Sequence, residues 1–351
     1  MRIKAVICLV LLAALVGACT YKSENPFEVP TPPPAPGATP LAKLELKRDA
    51  ELEAAIAKIA PEAKGKVGVA AIVLETGEAA LLNADDRFPM QSVYKLPISM
   101  AVMDQVRREK LELDEKVGVT NEDMVRAGMR SPLRDENPNG GEFAIRELIR
   151  LAMVESDGTA SDVLMRVAGG ATEIQSYLTQ IGIRDMKVVN TEKEMGRDWE
   201  TQYENWSTPV ASIELLRWLH GTYVESGRTS DARCSEALGG VECTRTMNGY
   251  ETFYSFMIGS ATGPLRLKGQ LPKEVSVAHK TGSGGNRNGI TSATNDIGII
   301  NLSIGPDLAK RNHLAIAVFV SDSPADEKTR EAVIAKIAKA CWDRWNVPAK
   351  P

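Results

Sequence analysis

PMQSVYKLPISM, residues 89–100, sets a hydroxyl three positions before an ammonium and then runs into apolar sequence. If the stretch is helical, Ser92 and Lys95 share a face, because residues i and i+3 are neighbours on a helix. Ser92 then lies in the first turn, where free backbone N–H groups and the positive dipole end favour a developing anion. A second reading makes Ser92 an N-cap and lays the Lys95 stem along the surface. The four residues alone do not separate the two. The rest of the chain does.

With 351 residues there is room for two core-bearing lobes, or for one large domain with an insertion. An apolar fraction of 43% and a charged fraction of 25% are those of a soluble globular protein. A net charge of −4, with no basic run that would form a face, argues against nucleic acid as a partner.

Residues 1–18 read as a secretory signal. MRIK supplies two positive charges, and AVICLVLLAALV is an apolar stretch too short for a comfortable membrane span. Val16-Gly17-Ala18-Cys19 resembles the bacterial lipobox, which implies a lipid on Cys19, membrane anchoring through that lipid and a periplasmic location. An ordinary signal peptide cleaved nearby is the competing reading. PFEVPTPPPAPGATP, residues 26–40, holds seven prolines and reads as an extended polyproline tether within residues 19–42. Export permits disulfides. Cys234 and Cys243 flank SEALGGVE and are candidates for a local bridge, whereas Cys341 falls in a helical pattern and reads as buried.

GVAAIVLE and EAALLN read as two strands joined by a turn at Thr76-Gly77, after a helical pattern from Leu41 to Ala60. FAIRELIRLAMVE, residues 143–155, reads as one helix ended at Ser156-Asp157-Gly158, and Thr208-Pro209 as an N-cap with proline in the first turn. EVSVAHKTG, GITSATNDIGIINLSI and HLAIAVFVSDS read as three antiparallel strands, followed by a helix whose Ile334, Ile337, Cys341 and Trp345 form a stripe. The expected architecture is α+β. One antiparallel sheet with flanking helices is assembled from both ends, residues 43–84 and 239–348, around an inserted helical lobe, residues 85–238. A site is expected in the crevice between them.

Ser92-Val-Tyr-Lys95 is the one S-x-x-K in the chain; Ser156-Asp157-Gly158 follows at a helix end, and Lys280-Thr281-Gly282 at a strand end. A serine hydroxyl needs a base beside it. His220, His279 and His313 are isolated in sequence, so neither a Ser-His-Asp triad nor a zinc motif is visible, and no metal or cofactor is expected. Lys95 becomes a base if burial and a second cation depress its pKa, and Lys280 is the candidate source of that charge. Ser156 would relay a proton to a leaving nitrogen, and backbone N–H groups at Ser92 and Ser283 would form an oxyanion hole.

S-x-x-K, S-D-G and K-T-G in this order resemble the S-x-x-K, S-D-N and K-T-G signature of class A serine β-lactamases and penicillin-binding proteins. NTEKEMGRDWETQYENW, residues 190–206, resembles the Ω-loop of the class A enzymes, and its Glu-x-x-Met and Gln-Tyr-x-Asn-Trp resemble the PER-like branch. The likeness covers nearly all of residues 43–346. It implies the two-lobe serine β-lactamase fold and resistance to β-lactams through a serine acyl-enzyme. The matching positions imply Ser92 as nucleophile, Lys95 as its partner, Ser156 as shuttle, Lys280 as strand lysine and Glu192 as base for the deacylating water. Thr281, Gly282, Ser283 and Arg266 match groups around the substrate carboxylate. A β-lactam is the implied partner, and a monomer the implied state.

Four departures stand out. Gly158 replaces an asparagine that contacts substrate, Gly196 replaces a side chain that helps hold water, and Asn190 and Asn205 replace the salt bridge that closes the Ω-loop. The segment 221–249 is longer than usual. A D,D-peptidase or penicillin-binding protein shares the three motifs without needing Glu192, and a lipoprotein that merely binds β-lactams or cell-wall fragments is a third reading.

Overall fold

KVGVAAIV, Lys66–Val73, is buried at every position after Lys66. A strand covered on both faces has no polar face to show, hence the continuous apolar run in place of alternation. Its turn at Gly77 has φ of +76°, and a Cβ there would stand 2.4 Å from the Glu45 carbonyl, so the hairpin to Glu78–Leu82 needs glycine at that point. Val277–Ser283, Ile290–Asn301 and His313–Ser323 form the expected antiparallel trio. The two groups join where Lys66–Val73 pairs His313–Ser323, with Val69 opposite Val318. Chain ends far apart in sequence thus make one sheet. In a computed structural model of the chain, residues 44–232, 241–302 and 312–346 are described, those at 223–232 and 241–248 by backbone alone.

Each face of the sheet has its own core. On one, helices Ala50–Ile59 and Glu327–Trp345 bring Leu52, Ile56, Ile334 and Ile337 against Val69 and Val318. The predicted stripe of the last helix is buried throughout, including the Cys341 thiol, whose pKa burial pushes up and whose reactivity it removes. On the other face Phe319 stacks on Phe88, ring centres 5.7 Å apart, and the helices lying between the two sheet halves in sequence complete the core. Helix Lys95–Arg107 buries ten successive residues, as a helix surrounded by others must.

FAIRELIRLAMVE is three elements and not one. Phe143 and Ala144 belong to a short strand, Gly141–Ala144, paired with Lys116–Val119; an α-helix follows at Ile145–Arg150, and a wider π turn at Leu151–Glu155. The ladder with Val117 captures the first residues, and the widened turn ends where Ser156 takes φ of +59°. The helix expected from Leu41 begins at Ala50, capped by the Asp49 carboxylate, because Lys47–Arg48 pairs with the hairpin instead. Cys19, the Cys234–Cys243 bridge and the lobe boundary near 238–239 lie outside the described residues or side chains. Among the described residues no helix is long and apolar enough to cross a membrane.

Ile337 is fully buried between the last helix and the sheet. Ile337→Ala is expected to lower unfolding free energy by about 2–5 kcal/mol in urea titration.

Candidate active site

Ser92 sits in a tight turn of 3₁₀ form, Gln91–Tyr94, immediately before helix Lys95–Arg107, with Gln91 at φ of +49°. No side-chain cap bond forms at the start of this helix, and Lys95 is only 1% exposed. The reading of a capping serine beside a surface lysine is therefore excluded. Lys95 Nζ donates to Ser92 Oγ at 2.9 Å and to the Ser156 carbonyl at 3.0 Å, and lies 3.0 Å from Glu192 Oε2. An ammonium has three protons and no lone pair. Each of the three has an acceptor here.

Lys280 approaches from the sheet. Its Nζ donates to Ser156 Oγ at 2.9 Å and to the Thr281 carbonyl at 3.1 Å. Burial pushes its pKa well below the ordinary lysine value and the charge of Lys95 pushes the same way, against the pull of Asp296 and Glu192. The left-handed backbone of Ser156 lets one residue present its carbonyl to Lys95 and its hydroxyl to Lys280. Gly282 brings the strand close to the turn: a Cβ there would be 2.3 Å from the Met90 carbonyl. Asn295, on the neighbouring strand, donates to the carbonyls of Pro89 and Met90 and fixes that approach.

Glu192 opens the short helix Glu192–Met195. Its backbone N–H donates to Asp162 Oδ1 at 2.6 Å, the N–H of Lys193 donates to Oδ2 at 3.1 Å, and Tyr94 donates its hydroxyl proton to Glu192 Oε2 at 3.0 Å. Burial pushes the Asp162 carboxyl up to about 7, against those two backbone bonds. Glu194, two residues from Glu192, has other work: its carboxylate accepts from the backbone and hydroxyl of Thr191 in a capping box. Asn205 closes the loop in place of a salt bridge. Its Oδ1 accepts from the N–H groups of Val189 and Asn190 and its Nδ2 donates to the Asn190 carbonyl, while the Asn190 side chain turns to Glu204.

These groups meet at a cavity of about 550 Å3 lined by Ser92, Ser156, Glu192, Thr281 and Ser283. Lys95, Lys280 and Gly282 stand just behind its wall. Arg266, expected at the substrate carboxylate, does not line the cavity: it is 3% exposed and bonds Glu331, the carbonyls of Gly282 and Asn295, and Ser283 Oγ at 2.7 Å. Its charge reaches the cavity through Ser283. Gly158 also lies off the lining, beside Glu192; a Cβ there would be 2.9 Å from Glu192 Cγ. Gly196 does line it, and a Cβ would meet Met129 Sδ at 2.8 Å. Sequence reasoning missed Thr262, whose hydroxyl is 2.6 Å from that of Thr281, and Tyr94 and Asp162, which hold Glu192. Tyr94 sits inside the S-x-x-K motif, but nothing in one sequence says which loop its ring will meet.

Residues 51–345 match the family model described as the β-lactamase enzyme family. The chain is 34% identical to β-lactamase VEB-1 of Pseudomonas aeruginosa over 79% of its length and 85% of that protein's. It is equally 34% identical to extended-spectrum β-lactamase PER-1 of the same organism, over 80% and 82%. Among solved structures, a β-lactamase from Chitinophaga pinensis superposes with TM-score 0.73 at 36% identity, covering 84% of this chain and 99% of that one. The TLA-1 extended-spectrum β-lactamase gives TM-score 0.72 at 36% identity, covering 84% and 97%.

Asn205→Ala would strand two N–H groups and one carbonyl at the neck of the loop. Each buried polar group left without a partner costs about 1–3 kcal/mol. Lower thermal stability and faster proteolytic cleavage within residues 189–205 are the expected results.

Proposed function

The chain belongs to the β-lactamase enzyme family and hydrolyses the β-lactam ring, giving resistance to these antibiotics, and we propose that Ser92 carries the reaction as a transient ester. The observation that supports this best is the triple contact of Lys95 with Ser92 Oγ, the Ser156 carbonyl and Glu192. An ammonium is only a donor, so Lys95 first passes a proton to Glu192 and then takes one from Ser92 Oγ. The Ser92 oxygen forms a bond to the lactam carbonyl carbon, and the charge that develops on the carbonyl oxygen is held by the N–H groups of Ser92 and Ser283. The ring C–N bond breaks, the nitrogen takes the proton of Ser156 Oγ, and Lys280 restores it across 2.9 Å. Thr281, Thr262 and Ser283 offer hydroxyls to the substrate carboxylate, with Arg266 behind Ser283.

The second step needs water. Glu192 gives up the proton it took, making good the one that Lys280 lost, and as a carboxylate removes a proton from a water that attacks the ester; Lys95 gives a proton back to Ser92 Oγ as the acid product leaves and recovers one from Glu192 across 3.0 Å. The clamp on Glu192 favours a hydrolase over a D,D-peptidase or a protein that only becomes acylated. Asp162 and Tyr94 fix both the backbone and the carboxylate of a loop acid that acylation alone would not require. Gly158 serves the same end by leaving room for the Glu192 side chain.

We further propose that Cys19 carries a lipid and tethers the enzyme through its proline-rich segment to a membrane facing the periplasm, as a monomer. The apolar run ending in Val-Gly-Ala-Cys supports this reading. In cells, Cys19→Ala should move the enzyme from the membrane to the soluble fraction; membrane retention of the variant would overturn it.

A chromogenic cephalosporin should be turned over many times per molecule by the parent. In Glu192→Ala the Lys95 proton can leave to solvent but nothing replaces the base for water, so deacylation should slow by about 10²–10⁴-fold, and more than acylation, leaving a covalent adduct on Ser92 visible by mass spectrometry. Loss of turnover without an adduct would remove Glu192 from the second step.

A further inference from the structure

Two of the three histidines, isolated in the sequence, are brought together by the fold. His220 lies on helix Pro209–Ala232, His313 opens strand His313–Ser323, and Glu75 stands at the hairpin turn after strand Lys66–Val73. Their rings and carboxylate converge, with one ligand-type atom from each residue within 4.8 Å of the others. None of the three lines the active-site cavity. We propose that His220, His313 and Glu75 form a binding site for a divalent transition metal ion, Zn2+ in the first instance, that ties the helix to the two strands.

The carboxylate is already oriented for this. The His313 backbone N–H donates to Glu75 Oε2 at 2.7 Å, so Oε1 is turned to the imidazoles, 2.7 Å from His313 Nδ1 and 4.0 Å from His220 Nε2. The two rings are 4.3 Å apart between centres. Zn–N and Zn–O bonds of about 2.0–2.2 Å place tetrahedral ligand atoms about 3.3 Å from one another. His220 Nε2 closes toward that spacing and His313 Nδ1 opens toward it, both by rotation of side chains on fixed backbones.

Protonation is also suitable. Burial, with the neighbouring His313, pushes the His220 pKa down to about 4, so this ring is the neutral species that metals require. Burial alone would raise the Glu75 carboxyl, but the hydrogen bonds from His313 outweigh it and hold Glu75 below the usual range, as a carboxylate. Nε2 is the His220 nitrogen turned to Glu75, while Nδ1 is buried on the other side with no hydrogen-bond partner among the described residues. Side-chain exposures of 35% for Glu75, 21% for His313 and 12% for His220 leave a path for the ion and for water as a fourth ligand. Two histidines and a glutamate with an open position are a recognised zinc ligand set.

The untagged enzyme should bind one equivalent of Zn2+ per chain in isothermal titration, and Co2+ should give the absorption of a tetrahedral site. Groups that merely orient a zinc ligand are worth about 10–100-fold in affinity, so losing a direct ligand through His220→Gln should cost at least as much. Glu75→Gln keeps the size of the side chain and the hydrogen bond from His313, and should lose Zn2+ affinity without unfolding. Saturating Zn2+ should raise the melting temperature of the parent and not of these variants, while cephalosporin turnover stays unchanged in all of them. Absence of binding by the parent would overturn the proposal, as would a His220→Gln/His313→Gln double variant that retains the parent's affinity.

Discussion

Lys95 and Lys280, two side chains with almost no exposure, converge on Ser156 from opposite sides of the cleft. Removing an ammonium from water costs several kcal/mol, and two of like sign in one place cost more. The arrangement persists because every proton of Lys95 has an acceptor and because Glu192 and Asp296 supply opposing charge. The whole site follows from satisfying these two cations. Ser156 must adopt a left-handed backbone to serve both, the strand must come within touching distance of the turn at Met90, and the loop must carry a carboxylate to Lys95.

Close approach explains the glycines. At Gly282 a single extra carbon would strike the Met90 carbonyl, and the strand lysine would then stand away from the serine. At Gly158 an extra carbon would press on Glu192. The departure from the family asparagine therefore bears on the room left for the Glu192 side chain. Asp162 and Tyr94 hold that acid from the other side, and Asn205 secures the neck of its loop with three hydrogen bonds in place of an ion pair. Both the loop at Glu192 and the turn at Met90 are fastened to buried side chains, Asp162 and Asn295.

Much of this was legible in advance. Ser92, Lys95, Ser156 and Lys280 announce themselves by spacing and order, and Glu192 by its loop. The antiparallel trio and the hairpin follow from β-branched runs bounded by turn residues. The errors were local. Residues 143–155 carry apolar positions at helical spacing, yet Phe143 and Ala144 pair with Val117 and Lys116, since a partner strand with free hydrogen-bonding groups outweighs a weak propensity. Arg266 matched a substrate-facing position, but the carboxylate of Glu331 and two backbone carbonyls take up most of its guanidinium.

Linear order, residue type and period determined the covalent chemistry, the order of strands and helices, and the buried stripe of the last helix, because these depend on neighbours along the chain. Tertiary structure decided which atoms touch. Only the folded chain sets Tyr94 against Glu192, turns Arg266 inward, and brings His220 to His313 across 93 residues of sequence. Such contacts arise from elements packed against a common sheet, and no local pattern encodes the distance between side chains that meet in this way.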